Sequence, residues 1–238
     1  MRCIVSIAAF SLFFAGHLWS QISTFDQGLE GWTITGDAQN GGGLPDFRLI
    51  GGNPGGHLTA TDDNQGGTWY WVAPAQFLGN KCSAYGSNLS FDLKQDQSGN
   101  QSNNVDIYLS GGGLNLTYNT EANPGLDWTS YVIALQEGKW RLNTLNGPLC
   151  TQSDLKLVLS NVTRLWIRGE YASGPTDMGG IDNVVLPVFI DFDLDLDNSS
   201  GAFVKDYRAN RICYTGGLSS IADSDLVVRS MLPIDSIL

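Results

Sequence analysis

A chain of 238 residues with 42% hydrophobic side chains, 29 glycines and seven tryptophans is long enough to bury one sizeable core, and its turns are short. Its 24 acidic side chains outnumber 13 basic ones, a formal charge of −11, which excludes nucleic acid or an anionic membrane held through a basic surface. Hard cations such as calcium are the partners that such a charge attracts.

The front of the chain fixes the expected compartment. Arg2 precedes an apolar run from Ile4 to Gly16, and Leu18-Trp19-Ser20-Gln21 comes next. That is the pattern of a signal peptide over residues 1–20, with an apolar run too short to span a bilayer. The product is therefore expected to be secreted or displayed at a cell surface. Without Arg2 the balance becomes 12 basic against 24 acidic residues, about −12.

Beyond the leader, strands are expected to dominate. Phe25-Asp26-Gln27-Gly28-Leu29-Glu30-Gly31-Trp32 reads as a first strand, and Trp69-Tyr70-Trp71-Val72 as another that stops at Ala73-Pro74. Leu89, Phe91 and Leu93 alternate with polar residues, so they face inward. Val105 to Leu109 repeats that period, turns at Gly111-Gly112-Gly113, and returns as Leu114 to Tyr118. Trp128 to Leu135 forms a further strand with Tyr131 and Ile133 on one side. The single helical pattern starts at a capping box, Thr151 to Asp154, carries Leu155, Val158 and Leu159 on one face, and ends at Asn161. Thr163 to Glu170 is the penultimate strand. Gly179-Gly180-Ile181-Asp182-Asn183-Val184-Val185-Leu186 is the last, placed beside the first with Phe25, Trp32, Ile181, Val184 and Leu186 available to the core.

In this order, Gly66 to Pro74, Phe77-Leu78-Gly79-Asn80, Ala84-Tyr85-Gly86, Leu89 to Leu93, Trp128-Thr129-Ser130-Tyr131, the helix from Asp154 to Ser160, Leu165 to Tyr171 and Gly180 to Val184 resemble the laminin IV (laminin B) domain. The resemblance runs from about Ser23 to Leu186. It implies an all-β, antiparallel jelly-roll β-sandwich of the carbohydrate-binding-module type over residues 21–186, with one short helix. It also implies a non-catalytic matrix or adhesion module with an extracellular protein or glycan as partner. The cysteine-dense EGF-like repeats that flank this domain in laminins have no counterpart here. Residues 187–238 instead place Asp193, Asp195 and Asp197 at alternate positions, similar to the start of a cadherin-like, Asp-rich surface repeat.

Candidate sites are few. Past the leader the cysteines are Cys82, Cys150 and Cys213, so at most one internal disulfide forms. Cys82–Cys150 is the pair inside the main module; three separate buried cysteines are the alternative. Catalysis finds no support: His57 lies in a Gly-rich turn, Glu30, Glu121, Glu137 and Glu170 are scattered singly, and no paired-carboxylate strand occurs. Trp69 and Trp71 share a strand face and either stack on a sugar or pack into the core. Asp26 and Asp182, on the two end strands, are candidate ligands for a structural Ca²⁺, with the loop around Asp62 contributing further oxygens. Asp193, Asp195 and Asp197 are a second calcium candidate. Asn88, Asn100, Asn115, Asn161 and Asn198 stand in N-x-S/T sequons.

Overall fold

The computed structural model describes residues 18–63, 67–173 and 177–189. Twelve strands and one helix run in the order β1 (Leu18–Ser23), β2 (Thr33–Thr35), β3 (Asp46–Arg48), β4 (His57–Thr61), β5 (Tyr70–Val72), β6 (Asn88–Gln95), β7 (Ile107–Gly111), β8 (Leu114–Tyr118), β9 (Thr129–Ala134), β10 (Arg141–Leu142), α1 (Gln152–Ser160), β11 (Val162–Arg168) and β12 (Met178–Phe189). They form two six-stranded antiparallel sheets. The first has the order β3-β4-β12-β6-β9, with β1 also paired to β12; the second has the order β10-β8-β7-β11-β5-β2. The molecule is a jelly-roll β-sandwich with one short helix.

Alternation decides which side chains close the sandwich. Leu89, Phe91 and Leu93 of β6 meet Ile107 and Leu109 of β7 and Leu165 and Ile167 of β11 in one buried cluster. The β7–β8 hairpin turns at Gly112 and Gly113, both with positive φ, a conformation that glycine adopts without steric cost. Against this hairpin lies α1, with Leu155, Val158 and Leu159 buried. Its capping box is complete: the Asp154 N–H donates to Thr151 Oγ1, and the Thr151 N–H donates to Asp154 Oδ2 at 2.8 Å. Asn161 caps its end.

The opening phrase departs from expectation. Phe25 to Trp32 is a turn between β1 and β2, because Phe25, Gly28, Glu30 and Gly31 all have positive φ and break the extended chain. The Phe25 N–H donates to Glu30 Oε1 at 2.6 Å, closing this turn. Phe25 and Trp32 still reach the core, ring edge to face at 6.0 Å. The strand beside β12 is β1, whose residues 18–20 fall within the expected leader. Its register runs from Leu18 opposite Phe189 to Ser23 opposite Val184.

Candidate functional site

Trp69 and Trp71 are wholly buried, with ring centroids 4.9 Å apart, so they are core residues and offer a ligand nothing. Their shared face is the inward one. The open aromatic face lies on the opposite side of the same sheet, one residue out of phase. There Tyr70 of β5, Tyr108 of β7 and Trp166 of β11 pack within 5.3–6.2 Å of one another. The Arg164 guanidinium sits 4.8 Å from the Trp166 ring centroid and 5.2 Å from that of Tyr108. Arg164 is held there by donating to Ser110 Oγ at 2.9 Å and Asn115 Oδ1 at 2.7 Å. Tyr108, Arg164 and Trp166 are half-buried, which leaves part of each to solvent. The signal missed in the sequence was the alternation of Tyr108 with Ile107 and Leu109, and of Trp166 with Leu165 and Ile167.

The three carboxylates expected to converge on calcium divide into two places. Asp182 lies on β12 opposite Asp92 of β6. Asp182 Oδ2 accepts from the Asn53 N–H at 2.6 Å, and Asp92 Oδ2 accepts from the side-chain amides of Asn53 and Asn183. Asp26 Oδ1 accepts from the Gly56 N–H at 3.1 Å. These acids therefore clasp the 51–56 loop by hydrogen bonds. Burial, with Asp92 and Asp26 nearby, pushes the Asp182 carboxyl up to about 6. Asp62 is elsewhere: its N–H donates to the carbonyl of Asp177, five residues before Asp182 and so roughly 16 Å along β12.

Asp62 belongs to a second acidic group at one end of the sandwich. Carboxylate oxygens of Asp37, Asp62 and Glu170 lie within 4.8 Å of one another. Asp37 follows β2, Asp62 follows β4, Glu170 follows β11, and Asp177 immediately precedes β12. Asp62 and Asp177 are 1% exposed and Glu170 is 5% exposed, so Asp62 is no solvated turn residue. Glu170 is pushed up to about 8, first by burial and then by Asp37, Asp62 and Asp177; the Trp69 backbone opposes this. Asp177 is pushed up to about 6 by burial, with Asp62 and Asp96 adding to it. Nothing in the one-dimensional pattern joined these residues, because each stands alone at the end of a different strand.

The Cys82–Cys150 pair does not form. Cys150 is a free thiol, buried ahead of α1 with its N–H donating to the Trp140 carbonyl at 2.9 Å, while Cys82 is disulfide-bonded but not to Cys150. Burial pushes the Cys150 thiol up to about 11. His57 starts β4 with its ring edge-on to Trp128, centroids 5.3 Å apart. Asp193, Asp195 and Asp197 lie outside the described residues, as do residues 190–238 of the cadherin-like stretch and residues 1–17 of the expected leader, whereas residues 187–189 continue β12. The sequon residues Asn88, Asn100, Asn115 and Asn161 are all exposed.

The sequence profile described as Laminin B (Domain IV) matches residues 70–189, from β5 to the end of β12. The chain belongs to the laminin B (domain IV) family. Human laminin subunit gamma-2 is 36% identical over 125 residues, 49% of this chain and 10% of that protein. Laminin subunit gamma-1 of Xenopus tropicalis is 28% identical over 160 residues, 64% of this chain and 9% of that protein. The chain thus spans a tenth or less of the length of the curated relatives that it matches. Among solved structures, the L4b domain of human laminin alpha-2 superposes with a TM-score of 0.53 at 16% identity, covering 66% of this chain and 90% of that one, a likeness of fold. The matched part of this laminin B module includes Tyr108, Arg164, Trp166, Glu170 and Asp177, while Asp26, Asp37 and Asp62 precede it. Among the described residues no helix is long and apolar enough to cross a membrane.

Proposed function

We propose that the chain is a secreted, non-catalytic matrix or adhesion module that contacts its partner through the outer face of the second sheet. The observation that carries this reading is the Tyr108–Arg164–Trp166 face in a laminin B module. Two half-buried aromatic rings and a guanidinium pinned above them form a rigid surface, and aromatic and Arg side chains are the types enriched at protein contacts. His57 Nδ1 has no hydrogen-bond partner and the ring lies against Trp128, so that nitrogen holds no hydroxyl or thiol in the position of a nucleophile.

Glycan binding is the second reading, favoured by the same rings, since the apolar face of a sugar stacks on exposed aromatics. Calorimetric titration of the purified chain against soluble matrix proteins and a polysaccharide panel separates the two. Trp166→Ala is expected to weaken binding of the true partner class at least tenfold without moving the melting midpoint by more than a few degrees. Binding that survives both Trp166→Ala and Arg164→Ala removes this face from the reading. Hydrolysis of any glycan by the purified chain overturns the non-catalytic assignment.

A further inference from the structure

We propose that Asp37, Asp62 and Glu170 bind a calcium ion that ties both sheets together at one end of the sandwich. Asp37 and Glu170 follow strands of the second sheet and Asp62 follows a strand of the first, so one ion would join three connections distant in sequence. The relevant oxygens lie within 4.8 Å of one another. Oxygens on opposite sides of a Ca²⁺ ion, each about 2.3–2.6 Å from it, are roughly 4.6–5.2 Å apart, so the group can close on one ion with small side-chain motions. Mg²⁺, with bonds of about 2.0–2.1 Å and an octahedral shell that keeps several waters, suits an all-protein buried cage less well.

Oxygens of Asp37, Glu170 and Asp177 are buried without the partners that burial demands. Glu170 is 95% buried by its 5% exposure, and its Oε2 has no hydrogen-bond partner; Asp177 Oδ1, at 1% exposure, has none either. Both carboxylate oxygens of Asp37 are buried and equally without partners. Among the described residues none of Asp37, Glu170 and Asp177 forms an ion pair with Lys or Arg. Ionised carboxylates taken out of water are strongly unfavourable unless paired or coordinated to a metal. Shared protons would satisfy some of these oxygens, whereas a divalent cation would coordinate one oxygen each of Asp37, Asp62 and Glu170 and offset their mutual repulsion. Asp177 is close enough to Glu170 and Asp62 for their charges to interact, and adds a further negative charge to this end of the sandwich.

The clasp of Asp26, Asp92 and Asp182 differs on this point, because each of those carboxylates already accepts hydrogen bonds from the 51–56 loop or Asn183. That difference supplies the control. The whole chain, stripped with EDTA and exchanged into metal-free buffer, is titrated with CaCl₂ and separately with MgCl₂ by calorimetry, and melted with each. One Ca²⁺ per chain is expected, with a raised melting midpoint and at least tenfold weaker binding of Mg²⁺. Glu170→Gln should lose the calcium-dependent shift while melting in EDTA no lower than the unsubstituted chain, since it removes a like charge and keeps the shape. Asp182→Asn should keep the shift. Coincident melting curves in Ca²⁺ and EDTA overturn the proposal. So does a shift that persists in both Glu170→Gln and Asp37→Asn, or one lost in Asp182→Asn and kept in Glu170→Gln.

Discussion

Tyr70 sits between two tryptophans and is buried like both, but on the opposite face of the sheet. Trp69 and Trp71 disappear into the core, while Tyr70 packs against Tyr108 and Trp166 and donates its hydroxyl to the Val105 carbonyl at 3.1 Å. A period of two is enough to say which residues share a face, but which of the two faces is covered depends on the partner sheet. His57 carries its own single-residue consequence. Burial, then Lys94 and Arg48, pushes its imidazole down to about 4 from 6.5. Between those values the unfolded chain holds a proton that the folded one refuses, so this group makes stability fall as pH drops from about 6.5 to about 4. Asp182, pushed up, contributes the opposite slope as the carboxyl of the folded chain protonates first. The stability difference between the parent chain and His57→Gln isolates the histidine. In urea titrations that difference is expected to be flat above pH 7 and to shift in favour of His57→Gln steadily toward pH 4; a pH-independent difference would rule out a neutral, buried His57.

At the scale of elements, β11 ends in the most demanding contact of the sandwich. Arg168 and Asp106 are each 1% exposed and their charged atoms lie 3.5 Å apart. Arg168 also donates to the carbonyl and hydroxyl of Ser102, and Asp106 accepts from the N–H and hydroxyl of Thr120. Removing one partner strands the other charge in the core, so Arg168→Met is expected to destabilise by about 3–5 kcal/mol. Adding Asp106→Leu should recover much of that loss, and chemical denaturation of the two single variants and the double variant measures it. Elements of five residues or more with clean alternation, such as β6, β7, β8, β9 and β11, were legible in the sequence, as was α1 through its capping box. The shorter β2, β3 and β10 offer no period to read. In β4 the outward residues are buried too, His57 beneath Trp128 and Thr59 with its hydroxyl bonded to Arg48, so no polar face marks it. The acidic group was legible only as the single residue Asp62, because its other members join through the topology of two sheets rather than through spacing.

For the whole molecule, the two ends of the described sandwich matter as much as its core. β12 begins at the acidic group, beside Asp62, and ends beside the start of β1, so the cluster and the chain's point of entry and exit are separated by the length of one strand. Because Leu18 pairs with Phe189, the start of β1 and the end of β12 lie side by side, on strands about 5 Å apart. Load applied at those two strand ends does not run through the core. It acts across the first rung of an antiparallel ladder and opens the rungs between Leu18 and Ser23 one at a time, like a zipper, instead of shearing all of them together. Pulling on handles attached at Gln21, the first residue past the expected leader, and at Phe189 in an optical trap should therefore detach β1 at low force, before the rest of the sandwich yields. The aromatic face of the second sheet, which shares no rung with β1, keeps its shape under a load that has already peeled β1 away.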